Sequence, residues 1–146
     1  MSVPAVVSLV TLGVRDVAAS TRFYEGLGFR RSSASVDGDV SFFHTAGALL
    51  ALWGASDLQR DAGVARVGES GAFGNVAFAI NVESDAAVDA ALAAAEQAGG
   101  RLVKAGAATE WGGYQGYFAD PDDHYWEVAH NPFWPLGPDG RPQLPD

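Results

Sequence analysis

The chain has 146 residues and a mass of 15.2 kDa, enough for one domain of ordinary size and too little for two independent cores. Hydrophobic residues make up 48% and charged residues 18%, a globular composition and not a disordered one. Nine Lys and Arg against eighteen Asp and Glu give a net charge of −9, a field that repels phosphate backbones and argues against nucleic acid as a partner. The same field favours a cationic or neutral small ligand. Cysteine is absent, which removes disulfides, thiolate metal sites and a Cys nucleophile. The start, Met1-Ser2-Val3-Pro4, has no basic leader region, and no apolar run approaches membrane-spanning length. A soluble cytoplasmic protein with no membrane partner is expected.

In chain order, residues 6–14 alternate as a strand and lead through Arg15-Asp16 into a helical stretch, Val17 to Leu27, that stops at Gly28. Strand-like runs follow at about 31–36, 39–45 and 48–53, with turns at Asp37-Gly38 and Ala46-Gly47. Residues 54–74 read as a Gly- and Ala-rich linker with a short helix at Ser56 to Asp61. The pattern then repeats. Residues 74–82 alternate, Glu83-Ser84 leads into a helix at Asp85 to Ala98, and Gly99-Gly100 ends it. Three further strands are predicted at about 101–105, 114–119 and 124–130, the last two joined by the turn Asp120-Pro121-Asp122-Asp123. Asp16 and Ser84 are the expected N-caps, and Gly28 and Gly99 the stops. Each half reads β-α-β-β-β, so the fold class is α+β within a single domain: module 1 at about 6–53, module 2 at about 75–130, and a tail at 131–146. The tail holds five of the seven prolines and is expected to run extended against the body or a partner subunit, because Phe133 and Trp134 are costly to leave wet.

Strand parity assigns faces. Val10, Leu12 and Val14 should cover the first helix, through Ala19, Phe23 and Leu27; Val76, Phe78 and Ile80 should cover the second, through Val88, Ala91, Leu92 and Ala95. The opposite face carries Leu9, Thr11 and Gly13 in one half and Asn75, Ala77 and Ala79 in the other. In the closing strands Leu49, Ala51 and Trp53, and Tyr125, Glu127 and Ala129, fall on that same open face. Glu127 is therefore a carboxylate on an open sheet face framed by aromatics. Such a group usually has a function or a partner, and an ion pair with an Arg is the plain alternative.

These residues resemble a known family. A duplicated β-α-β-β-β module, opened by VTLGVRDVAASTRFYEGLGF and closed by GYFADPDDHYWEVAHNP, is similar to the vicinal oxygen chelate superfamily of glyoxalase I, bleomycin-resistance proteins, extradiol dioxygenases and fosfomycin-resistance enzymes. The resemblance covers about residues 6–131. It implies a curved, cup-like mixed sheet, often completed by dimerisation, with a divalent metal in the cup of the catalytic members. The family's ligand positions fall here at Leu9, Asn75, Ala51 and Glu127. Only Glu127 is a good ligand, whereas a catalytic zinc takes three protein ligands and a non-haem iron two His and a carboxylate. His130 has the opposite parity to Glu127, His124 sits at the Asp-Pro-Asp turn, and His44 neighbours Phe42, so surface or structural roles are expected for all three. The family often carries Gly where this chain has Asp123, at what should be a left-handed turn position.

The expectation is thus a homodimer that binds a small molecule, cationic or aromatic, in the cup or dimer groove, with no cofactor and no divalent metal. Candidate ligand-binding residues are Asn75, Trp53, Trp111, Tyr114, Tyr117, Tyr125, Glu127 and His44, with Trp111-Gly112-Gly113-Tyr114 lining the site where paired glycines permit close approach. The alternative is a lyase, isomerase or dioxygenase-type enzyme with Glu127 as general base, helped by Tyr117, Tyr125 or His44, or as ligand of a divalent metal.

Overall fold

The structure is a computed structural model that describes residue 5, residues 7–63 and residues 76–146. Asn75, the linker beyond Gly63 and the first residues of the second module lie outside the described residues. The first module runs β1 (Leu9–Val14), α1 (Val17–Gly26), β2 (Arg30–Arg31), β3 (Val40–His44) and β4 (Leu49–Gly54). A short α2 (Ala55–Ala62) follows. The second module runs β5 (Ala77–Asn81), α3 (Asp85–Gln97), β6 (Arg101–Ala108), β7 (Tyr114–Ala119) and β8 (Tyr125–His130). Each module is a four-stranded sheet with the same plan, β1-β4-β3-β2 and β5-β8-β7-β6, in which the first strand lies at an edge, parallel to the last. The α+β class and the tandem modules are as the sequence reads.

Local chemistry starts and stops the helices as expected. The Asp16 side chain accepts from Ala19 N and the Ser84 side chain from Ala87 N, each satisfying one free N–H of a first turn. Gly28 and Gly99 follow the helices at φ 97° and 106°, a left-handed conformation that only glycine enters without steric strain. The predicted strand at 31–36 shrinks to Arg30–Arg31. Beyond it the Ser35 hydroxyl receives Phe42 N at 2.9 Å, so a side chain takes over the ladder and the backbone turns away.

One core joins the modules. Leu12, Val14, Phe43, Leu50 and Leu52 from the first sheet share one buried cluster with Phe118, Trp126 and Val128 from the second and with Val88, Leu92 and Ala95 of α3. The helix α1 is packed on two sides. Its Thr21 hydroxyl bonds Ser41 on β3 at 2.7 Å, while Phe23 turns to Phe118 on β7 with ring centroids 6.4 Å apart. Phe23 thus reaches the second sheet in addition to sharing a core with Leu12 and Val14 of its own, the contact the sequence leads one to expect. Because α1 is sandwiched, both of its aromatics, Phe23 and Tyr24, seal the joint between modules, Tyr24 with its ring centroid 6.1 Å from that of Trp126 on β8. Burying one such side chain is worth about 1.5–3 kcal/mol.

Both sheets turn their helix sides into one core. No ladder links the two sheets among the described residues. On the open face of the first sheet α2 packs at one end, where a Cβ on Gly13 would meet Ala55 and Leu58, while Leu9 and Leu49 at the other end are 42% and 46% exposed. The tail departs from the extended run expected of it. It folds back on itself, with Gly137 N donating to Arg141 O and Gln143 N to Pro135 O, both at 2.9 Å. Phe133 and Trp134 remain 67% and 38% exposed.

Candidate functional site

Strand β8 sits between β5 and β7, which puts Glu127 in the interior of its sheet, paired in register with Ala79 on one side and Tyr117 on the other. The small Ala79 leaves room beside the carboxylate. The Tyr117 hydroxyl donates to Glu127 Oε2 at 2.7 Å, a charge-assisted bond across the open face. That bond, with partial burial and the carboxylate's charge, pushes the Tyr117 phenol up to about 12. Among the described residues Glu127 forms no ion pair, so the Arg partner that would make it merely structural is not there. Tyr125 lies two residues back on the same face. Next to it Arg101 bonds Tyr125 and pairs with Asp123 at 3.2 Å, and these contacts raise the guanidinium above its ordinary range.

Other candidates fall elsewhere. Tyr114 is three residues from Tyr117 and so points the other way: its ring packs on the core, and its hydroxyl donates to Asp89 of α3 at 2.9 Å. It leaves the site. Trp111 lies in the β6–β7 turn, where its indole covers Gly113, and Phe133 covers Gly112. The paired glycines therefore admit the chain's own aromatics. Trp53 and His44 lie on the open face of the first sheet, opposite Val40 and Arg30 respectively. They belong to a different sheet from Glu127. The structure thus gathers Tyr117, Tyr125 and Glu127 and separates Trp53 and His44 from them.

Two features escaped sequence reasoning. The first is a buried polar cluster behind β8. Asp120 Oδ2 accepts from the Tyr24 hydroxyl at 2.7 Å and lies 2.7 Å from His124 Nδ1, while its Oδ1 accepts Asp122 N and His124 N at 2.9 and 2.8 Å. Trp126 Nε1 donates to the Tyr24 hydroxyl at 3.2 Å, so the residue next to Glu127 is pinned from behind. Burial pushes the Asp120 carboxyl up, but the bonds from His124 and Tyr24 outweigh it and hold the group below its ordinary range. Burial likewise pulls His124 down, and Asp120, Asp122 and Asp123 together lift it above its ordinary value. Burial and Asp120 hold the Tyr24 phenol fully protonated, its pKa raised far above the usual tyrosine range. The second missed feature is Lys104, which pairs in register with Tyr117. Its signal was available, since Lys104 is the one lysine in the sequence.

The sequence profile of the glyoxalase/bleomycin resistance protein/dioxygenase superfamily matches residues 6–128, nearly the whole of both modules. The chain belongs to that superfamily. A glyoxalase-related enzyme from Fulvimarina pelagi is 38% identical, over 96% of this chain and 98% of that one, with a TM-score of 0.84. A glyoxalase/bleomycin resistance protein/dioxygenase from Nocardioides is 25% identical over 89% and 85%, with a TM-score of 0.73. A lactoylglutathione lyase from Agrobacterium tumefaciens shares the fold at 23% identity over 92% and 99%, with a TM-score of 0.66. No curated protein sequence matches the chain.

The divalent metal of the superfamily's catalytic members does not fit the donors described. Leu9 and Ala51 carry no donor atom, which leaves Glu127, with one oxygen free beside the Tyr117 bond, as a lone carboxylate among the described positions of the family's ligands. His124 and His130 are turned to the helix side or the turn, bonded to Asp120 and Asp85. No group of three or more His, Asp or Glu that could hold a metal ion occurs among the described residues. Nor is any described helix long and apolar enough to cross a membrane.

Proposed function

We propose that this superfamily member binds a small organic molecule on the open face of its second sheet, with Glu127 as the central polar contact. The observation that carries this reading is the 2.7 Å bond from Tyr117 to Glu127: a carboxylate in the interior of a sheet, held by a phenol and, among the described residues, paired with no cation. A carboxylate so placed keeps one oxygen for a ligand donor, and the rings of Tyr117 and Tyr125 supply apolar and cation–π surface beside it. The site works as a cytoplasmic binding pocket without a divalent metal, in keeping with the donor set. It is completed by a second copy of the chain, whose first sheet brings Trp53, His44 and the exposed Leu9 and Leu49 over the face that Glu127 occupies. The end of that face left uncovered by α2, with Leu9 and Leu49 exposed, supports that arrangement, because an apolar surface of this kind is normally covered.

The experiment is a thermal-shift screen of small-molecule collections on wild type and Glu127→Ala, with elemental analysis of protein purified without chelators or a His tag. Hits that stabilise the wild type, vanish in the variant and need no metal are expected. Near-stoichiometric Zn, Ni, Mn or Fe, or a variant that fails to fold, would overturn the reading. A second reading, a metal-free enzyme, is favoured by the 38% identical glyoxalase-related enzyme. In it Glu127 is the general base and Tyr117, kept protonated by its high pKa, is the hydrogen-bond donor to a developing oxyanion.

A further inference from the structure

The ladder between β6 and β7 is interrupted on both sides of Lys104. Leu102 pairs with Phe118, Lys104 with Tyr117 and Ala107 with Gln115, with a register shift before Lys104 and another after it. An uninterrupted antiparallel ladder that starts from Leu102 and Phe118 would set Lys104 opposite Gly116. Gly116 belongs to the helix side, where an added Cβ would meet Leu92 of α3 at 2.5 Å. The first bulge therefore moves Lys104 from the helix side to the open face, opposite Tyr117. The second restores the alternation, so that Gly106 lies against Asp89 and Tyr114 on the helix side. Bulges of this kind re-aim a side chain. Here the residue re-aimed is the single lysine of the sequence.

The row across the open face is then Ala79, Glu127, Tyr117 and Lys104, one residue from each strand. Lys104 forms no ion pair among the described residues, whereas its strand neighbour Arg101 is neutralised by Asp123. At the usual strand spacing the backbone positions of Glu127 and Lys104 are about 10 Å apart. A carboxylate and an ammonium at that separation, bridged by a phenol, make a bipolar surface. Resting on the reading that this face binds a small molecule, we infer that the ligand is a zwitterion whose ammonium meets Glu127 and whose anionic group meets Lys104. This narrows the cationic ligand that the net charge alone suggests, because an uncompensated Lys104 repels a molecule with positive charge only.

The test uses ε-aminocaproic acid, with n-hexylamine and caproic acid as probes of matching chain length and single charge. Reductive methylation with isotope-labelled formaldehyde keeps the lysine charge and labels Lys104 and the chain's amino terminus, so binding is read by NMR on an almost isolated signal. The zwitterion should bind about tenfold more tightly than either control, and Lys104→Gln or Glu127→Gln should each abolish that advantage. If n-hexylamine binds as well as the zwitterion and Lys104→Gln changes nothing, the zwitterion is overturned and the open-face binding site stands. If no probe shifts the Lys104 signal or the Tyr117 ring, both readings fall.

Discussion

Tyr24 on α1 and Asp120 at the end of β7, 96 residues apart in sequence, share a buried 2.7 Å hydrogen bond. The bond ties the helix of the first module to the turn that launches the Glu127 strand of the second. Arg15 reinforces the joint from outside: its backbone N–H and Nε reach Asp122 at 2.9 and 3.1 Å, and its guanidinium also donates to Pro121 O. The modules are therefore joined by satisfied polar contacts as well as by the shared core. Every partner is specific, and loss of one strands another in a low-dielectric interior.

Replacing Tyr24 by Phe keeps the ring packing and removes one donor from Asp120 and the acceptor of Trp126 Nε1. A loss of about 1–3 kcal/mol in unfolding free energy is expected, the usual penalty for an orphaned buried partner. Urea unfolding followed by Trp fluorescence measures it. An unchanged midpoint would mean that the cluster contributes nothing net.

The same cluster sets a pH window. The pKa of His124 is raised from 6.5 in the folded state, so its stabilisation is complete below 6.5 and is lost as pH rises through the folded value. That of Asp120 is lowered from 3.8, so its stabilisation is present above 3.8 and is lost as pH falls through the folded value. The melting temperature should be highest between these ordinary values and decline on both sides. His124→Gln should remove the alkaline decline and leave the acid one. An alkaline slope that survives in His124→Gln would assign it to another group.

The parts of this architecture visible in the sequence are those set by local rules. Asp16 and Ser84 cap helices through bonds to residues three positions on, and alternation in Leu9–Val14 and Tyr125–His130 fixed which side chains face the helices. Tyr114 was legible too, since it lies three positions from Tyr117 and odd spacing reverses the face; the adjacent glycines misdirected the reading. Two things were not legible. The partner of Tyr24 depends on a contact between modules, and the orientation of Lys104 depends on bulges that no residue pattern announces. Parity reasoning assumes an unbroken ladder, and Lys104 sits where the ladder breaks.

Asp123 has φ 65° and is the one non-glycine residue at positive φ among the described residues. Aspartate tolerates this region better than alanine does, and its carboxylate pairs with Arg101. Asp123→Ala should destabilise the protein, and Asp123→Gly should be more stable than Asp123→Ala by about 1 kcal/mol, the left-handed penalty of a Cβ. Thermal melts of the two variants decide it. Equal stabilities would show that the turn relaxes on substitution and that the backbone holds no strain there.

The Tyr117 phenol reports directly on the Glu127 carboxylate. Its pKa of about 12 owes most to the hydrogen bond with Glu127, then to burial and to that residue's charge. Glu127→Gln removes the charge and weakens the bond while leaving burial in place, so Tyr117 should titrate nearer the ordinary value of 10.0. NMR of protein with isotope-labelled tyrosine rings follows this one residue through the alkaline range, and Tyr117→Phe identifies its signal. A ligand whose cation docks on Glu127 competes with the phenol for the carboxylate, so saturating ligand should lower the Tyr117 pKa as the glutamine variant does. A Tyr117 titration that ignores both the substitution and the ligand would separate the phenol from the carboxylate and remove the central contact from the proposed site.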